Sequence, residues 1–169
     1  ITRAIYELKT TANNFSDNLY RTNKNVYALL RYGADIKTAV GKKTEKVHFI
    51  DWKNFADNDF AIAEEVTIKG NNTKRPDIVI YINGIALGVL ELKRSTVSIN
   101  EGIRQNITNQ QDRFIKPFFA TVQYLFAGND TEGLRYGAIE ASEKYYLKWK
   151  EDITDSSRLL LDKYLLKMC

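Results

Sequence analysis

RPDIVIYINGIALGVLELK, residues 75–93, opens on Arg-Pro-Asp, runs through the five β-formers Ile78–Ile82, breaks at Asn83-Gly84, and continues through a second apolar run to Glu91-Leu92-Lys93. Valine, isoleucine and tyrosine suit the pleated, half-buried surface of a sheet. Asn-Gly between two such runs is the strongest short-range hairpin signal, because both residues tolerate positive φ. The stretch therefore reads as a β-hairpin. Side chains alternate along a strand, so Glu91 and Lys93 share a face with Leu87 and Val89, while Leu90 and Leu92 point the other way. Asp77 shares its face with Val79 and Tyr81.

Whether the two acids meet depends on the turn. A two-residue turn in unbroken register pairs position 77 with position 90, which sends the Asp77 and Glu91 carboxylates to opposite faces. One extra residue, in the turn or in a bulge, brings them together, and bulges often re-aim a side chain beside an active site. A three-residue turn or a bulged pair is the expectation. A regular two-residue turn would dissolve the shared site.

Two carboxylates and a lysine on neighbouring strands suit phosphodiester hydrolysis. That reaction needs a divalent ion to polarise the phosphate and lower the pKa of a water, and hard oxygen ligands favour magnesium. Asp77 and Glu91 supply carboxylates, and the backbone carbonyl of Leu92 offers a third hard oxygen. Lys93 is a charged donor for the water and for charge developing at phosphorus. An E-x-K triplet alone is common, and an exposed Glu–Lys pair on a strand is usually a solubility feature of small energetic weight. Arg-Pro-Asp ahead of an apolar strand, with thirteen residues between Asp77 and Glu91, sets this one apart.

The chain has 169 residues, the length of one domain, and 44% hydrophobic residues are enough for a core. Its apolar runs fall far short of the roughly 20 residues of a membrane span, and no signal segment opens it, so a soluble, cytoplasmic protein without membrane contact is expected. Cys169 is the sole cysteine, which excludes a disulfide framework and a thiolate metal cluster. His48 is the sole histidine, which makes a His-based metal site an unlikely design. The net charge is +4, and Lys69, Lys74, Arg75, Lys93, Arg94, Arg104, Arg113 and Lys116 gather around the hairpin. Such side chains hold phosphate backbones, although a solvated basic face has the same composition. Lys74, Arg75, Arg94 and Arg104 are the candidate DNA contacts.

Outward from the hairpin, residues 14–31 read as a helix with Leu19, Val26, Tyr27 and Leu30 in a stripe and Gly33 as its stop. Lys46–Trp52 and Phe60–Ile68 read as strands of the same sheet. Asn100–Lys116 reads as a covering helix ended by Pro117. Val122–Ala127 and Leu134–Ile139 read as further strands, no strand character follows Glu140, and Ser156–Met168 reads as a last helix. Tyr145, Tyr146 and Trp149 are expected in core or interdomain contacts rather than as base-stacking platforms. The fold class is α/β, a mixed central sheet flanked by helices. Gly41-Lys42-Lys43-Thr44 is a basic loop and not a phosphate-binding loop, since Ile36 and Lys43 stand where a glycine and a Ser or Thr are required. A start at Ile1 and an apolar end at Leu159–Met168 suggest a fragment of a longer protein.

The string from Arg75 to Ser95 closely resembles the nuclease motif of the R (restriction) subunits of type I restriction-modification enzymes, in the PD-(D/E)XK superfamily. The resemblance extends through Asp57–Phe60, Glu101–Gln105 and Ala127–Asp130. It implies a restriction-endonuclease-like core over residues 1–150. Residues 151–169 would then begin a helical linker toward an ATP-dependent motor lying outside this chain. It makes Asp77 and Glu91 acids for Mg²⁺ and Lys93 the catalytic lysine. The family carries Q-x-x-x-Y on the next helix: Gln105 falls at the glutamine, as a catalytic candidate, and Asn109 stands where tyrosine is usual. Both amides lie on one helix face, able to reach DNA or the metal site. An acid on an early helix often completes such sites; it is expected to precede this chain, and no residue is assigned to it. Duplex DNA would be the substrate, and modification and specificity subunits of the prokaryotic complex the partners. The competing readings are a non-catalytic DNA-binding or docking domain, and a related nuclease from repair or a mobile element. The presence of Asp77, Glu91 and Lys93 together argues for catalysis.

Overall fold

The computed structural model describes residues 1–150 apart from positions 17, 38 and 40, so the linker at 151–169 and the helix expected at Ser156–Met168 lie outside the described residues. The hairpin forms as its residues dictate. Strands β4 (Ile78–Ile82) and β5 (Ile85–Leu92) run antiparallel and are joined at Asn83-Gly84, where φ is +51° and +76°. Two positive φ values in a two-residue loop are those of a type I′ turn. Asn83 also anchors the turn, since its Nδ2 donates to Phe49 O at 2.8 Å and its Oδ1 accepts the Asp59 N–H at 2.7 Å. Gly84 has open space where a Cβ would stand. Gly84→Ala therefore meets only backbone strain, and urea denaturation is expected to show a loss of about 1 kcal/mol.

The register then slips, as the shared site requires. Ile82 pairs with Ile85 and Tyr81 with Ala86, but Ile80 pairs with Gly88, Val79 with Val89 and Ile78 with Leu90. Leu87 is the extra residue of a β-bulge, and the next position along sets Asp77 opposite Glu91. The turn keeps two residues; the strand supplies the correction. Leu87 packs with Val26, Leu30 and Ile50, and its carbonyl accepts the Gln123 N–H at 2.8 Å, so the bulge leaves neither an exposed apolar group nor an orphaned oxygen.

The sheet has six strands in the order β3-β4-β5-β6-β7-β8, with β3 at Phe60–Glu64, β6 at Tyr124–Asn129, β7 at Gly133–Gly137 and β8 at Leu147–Lys148. All neighbours are antiparallel except β5 and β6, which are parallel and connected through helix α3 (Ile99–Asn109). α3 lies close on the sheet because Gly102 has no side chain; a Cβ there would stand 3.2 Å from Ala127 Cβ and 3.3 Å from Glu91 O. The core on this face joins Leu19, Val89, Ile99, Ile103, Ile115, Phe119, Leu125 and Ala127. Each large side chain buried there contributes about 1.5–3 kcal/mol. On the opposite face Ile78, Leu90, Phe126 and Leu134 pack beneath Trp149, whose ring meets Phe126 and Tyr136 edge-on at 5.7 and 5.5 Å.

Several boundaries differ from the sequence expectations. Helix α1 (Thr2–Ala12) was not foreseen, and α2 spans Leu19–Tyr32, capped by the Asn18 side chain, which accepts the Arg21 N–H at 2.9 Å. Gly33 ends α2 as expected, at φ +80°. Lys46–Trp52 does not enter the main sheet: β2 (Thr44–Val47) pairs only with β1 (Ala34–Lys37), and turns follow. Asp51 and Asn58 make those turns, since Asp51 Oδ1 accepts the N–H groups of Lys53 and Asn54 and Asn58 Oδ1 accepts that of Asp51. β3 ends at Glu64 on the sheet edge, with Phe60 and Ile62 exposed. α3 stops at Asn109, and Pro117 stands in the first turn of a short 3₁₀ helix, Lys116–Ala120, where its missing N–H costs nothing. Leu147–Lys148 adds a short strand after Glu140. Tyr146 is buried and Tyr145 exposed. Among the described residues no helix is long and apolar enough to cross a membrane.

Candidate active site

The bulge delivers Asp77 and Glu91 to one end of the hairpin. Asp77 lies just before β4, where its carbonyl accepts the Glu65 N–H at 2.8 Å and its Oδ2 accepts the Leu92 N–H at 2.7 Å. The carboxylate is thus fixed to β5 by a backbone donor. Glu91 is wholly buried, facing α3 and flanked by Ala127 of β6. Asn109 Nδ2 approaches Glu91 Oε1 at 3.5 Å, and Glu91 Oε2 is buried without a hydrogen-bond partner. Burial, and then the charge of the neighbouring Asp77 carboxylate, push the Glu91 carboxyl up to about 8; Lys93 and Lys74 pull the other way. A carboxyl buried beside another acid is costly, and such groups cluster at functional sites.

Lys93 completes the group. Its backbone N–H continues the pairing with β6 through Gly128 O at 2.9 Å, and its Nζ donates to Leu92 O at 3.1 Å and Gln105 Oε1 at 2.9 Å. The Leu92 carbonyl therefore accepts from the ammonium while the N–H of the same residue holds the Asp77 carboxylate. Gln105 and Asn109, one turn apart on α3, meet Lys93 and Glu91, two residues apart on β5. The match is geometric, since four helical residues rise about 6 Å and two strand residues about 6.6 Å.

Asp77, Leu92 and Lys93 line an open cleft of ≈ 330 Å³ together with Glu64, Glu65, Ile78 and Arg94, while Glu91 is buried next to Asp77 and does not line it. The oxygens of Asp77, Glu91 and Leu92 suit a hard cation: two carboxylates, the Glu91 one with an orphaned buried oxygen, and a backbone carbonyl. Among the described residues no three His, Cys, Asp or Glu side chains converge, so a cation here would keep water ligands, as magnesium does. Glu64 and Glu65 were not anticipated. Glu65 adopts φ +51° to turn the chain toward Asp77, and its carboxylate pairs with Arg75 at 3.3 Å. Paired acids at a strand end are too common to have marked them. Of the early helices, α2 carries no acid and the Glu7 of α1 lines a different groove with Arg3, Tyr6 and Asp35.

The candidate DNA contacts separate by their partners. Arg94 is exposed at the cleft, and Lys74 is half-buried with its ammonium 4.1 Å from the centre of the Phe114 ring. Arg75 is exposed but engaged by Glu65. Arg104 is exposed and held by two acids, Glu101 at 2.7 Å and Glu143 at 2.9 Å. Asn109 is 1% exposed and lies beneath Glu91, on the metal-site side of the two roles expected of it.

A family model described as the type I restriction enzyme R protein N terminus (HSDR_N) matches residues 2–144. The MjaVIIP endonuclease subunit of Methanocaldococcus jannaschii is 39% identical over 101 residues, 56% of this chain and 9% of that protein. The MjaIXP endonuclease subunit of the same organism is 25% identical over 171 residues, 95% of this chain and 16% of that protein. The type I restriction enzyme HindI endonuclease subunit of Haemophilus influenzae is 28% identical over 164 residues, 92% of this chain and 15% of that protein. The chain thus spans a sixth or less of the length of these relatives.

Proposed function

The chain belongs to the family of type I restriction enzyme R protein N termini, and from that premise we propose that Asp77, Glu91 and Lys93 are the active site of a magnesium-dependent endonuclease with a PD-(D/E)XK core. The substrate is duplex foreign DNA. One observation carries the reading: the Leu87 bulge turns Asp77 onto the face of Glu91, beside the Lys93 ammonium. Asp77, Glu91 and the Leu92 carbonyl would hold the ion, which when bound polarises the phosphate and makes a water acidic enough to attack. Asp77 is kept in place by the Leu92 N–H, and Gln105 by its amide oxygen directs Lys93. Lys93 orients the water and donates to the phosphate oxygen on which charge accumulates. Sequence recognition belongs to modification and specificity subunits, and ATP-driven translocation to the larger part of the subunit.

The test replaces Asp77, Glu91 and Lys93 singly by alanine in the complete subunit, reassembles the complex, and measures DNA cleavage and ATP hydrolysis separately. Cleavage is expected to fall by about 10²-fold or more in each variant while ATP hydrolysis persists. Cleavage that survives all three changes would leave a non-catalytic DNA-binding or docking domain. The basic residues give a second expectation. Arg94 faces the cleft with its charge available, so Arg94→Ala is expected to reduce the slope of log affinity for DNA against log salt by about 0.9. Arg104→Ala is expected to leave that slope unchanged, because Glu101 and Glu143 already balance its charge.

A further inference from the structure

Two asparagines on α3 are buried, Asn106 at 0% and Asn109 at 1% exposure, and their surroundings differ. Asn106 Nδ2 donates to Phe126 O at 2.8 Å, a bond that ties the helix to β6. Asn109 Nδ2 is directed instead at a side chain, Glu91 Oε1, at 3.5 Å, the outer limit of a hydrogen bond. Its own Oδ1 is buried without a partner, as are Asn106 Oδ1 and Glu91 Oε2. Both amides are half-satisfied, which costs free energy; Asn106 offsets it with a short bond to the backbone of β6, whereas the one side-chain contact of Asn109 is long and made to Glu91.

Building on the metal-site reading above, we infer that Asn109 is a positioning residue that holds Glu91 Oε1 from the buried side and so leaves Oε2 to ligate the ion. An amide fits that task. It donates to a carboxylate without adding charge to a site that already contains Asp77 and Glu91. A lysine or arginine there would neutralise the ligand and oppose the cation, and an aliphatic side chain would leave Oε1 without a donor. Gln105 performs the matching task one turn earlier, holding Lys93 through Nζ at 2.9 Å. Gly102, a turn earlier again, sets α3 close enough to β5 for both short amides to reach it. Glu91 and Lys93 are thus fixed by consecutive turns of one helix.

The test titrates Mn²⁺ into the full chain by calorimetry and follows folding by urea denaturation, for the wild type, Asn109→Leu, Asn109→Ala and Asn106→Ala. Asn109→Leu keeps the shape and removes the donor. Its Mn²⁺ affinity is expected to fall about 10–100-fold while its urea midpoint stays level or rises, because a half-satisfied amide is gone. Asn109→Ala is expected to show the same loss of affinity whatever its stability. Asn106→Ala is expected to lower the midpoint and keep the wild-type affinity. Wild-type affinity in both Asn109 variants would overturn the role, and so would a loss no larger than that of Asn106→Ala. Absence of Mn²⁺ binding by the wild type, or binding unchanged by Glu91→Gln, would overturn the metal reading and this inference with it.

Discussion

Lys93→Ala in the complete subunit is expected to lower DNA cleavage by about 10²–10³-fold, the scale on which a charged or polar donor at the reacting centre contributes, while the divalent ion still binds. Lys93 touches no carboxylate in the site; its ammonium rests on Leu92 O and Gln105 Oε1. Removing it leaves Asp77, Glu91 and the Leu92 carbonyl in place. Two small effects on the ion then oppose each other. A positive charge that repels the cation is gone, and the lysine no longer pulls the Glu91 carboxyl down, so the proton competes better. Single-turnover cleavage and Mn²⁺ calorimetry on the same variant separate the roles. Loss of ion binding along with cleavage would assign Lys93 a ligand-supporting part instead.

Glu91→Gln is expected to abolish ion binding and, without metal, to make the protein more stable at high pH. Glu91 is a raised carboxyl, from 4.5 to about 8, through burial first and the Asp77 charge second. The folded chain therefore keeps a proton that the unfolded chain has released. The corresponding stability is complete below pH 4.5 and is lost as pH rises toward 8. At about 1.4 kcal/mol per unit the loss is on the order of a few kcal/mol. Glutamine stays neutral throughout, so the urea midpoint of Glu91→Gln should be level across that window while the wild type falls. Added Mg²⁺ should restore the wild type at pH 9, because an ion bound only by the folded form stabilises it by mass action. An equal fall in both proteins would trace the pH dependence to other groups.

The hairpin was legible because its residue types leave little freedom: β-formers on both sides of Asn-Gly, and acids whose cooperation demands one extra residue. That Leu87 is the extra residue was not legible, since the choice rests on Val26, Leu30 and Ile50, which arrive from distant parts of the chain. Lys46–Trp52 misled for a related reason. Val47, Phe49 and Ile50 have the apolar character of a strand, but Asp51 and Asn58 offer the backbone side-chain hydrogen bonds that make turns instead. α1 escaped notice because it buries only Ala4 and Leu8, too narrow a stripe to stand out. At the site, Asp77, Glu91, Leu92, Lys93 and Gln105 are brought together as their spacing and family resemblance suggested. Charge alone did not separate Arg94 from Arg104, since Glu143, which engages Arg104, lies 39 residues away. Asn109 was equally ambiguous, because helical spacing gives a face but not its depth.

A crystal of the chain soaked in Mn²⁺, with data collected at the manganese edge, addresses the central claim most directly. An anomalous peak is expected between Asp77, Glu91 and the Leu92 carbonyl, at about 2.0–2.6 Å from their oxygens, and absent from Glu91→Gln. A protein that stays empty there, or a peak that survives in Glu91→Gln, would contradict the metal site on which the proposed nuclease rests.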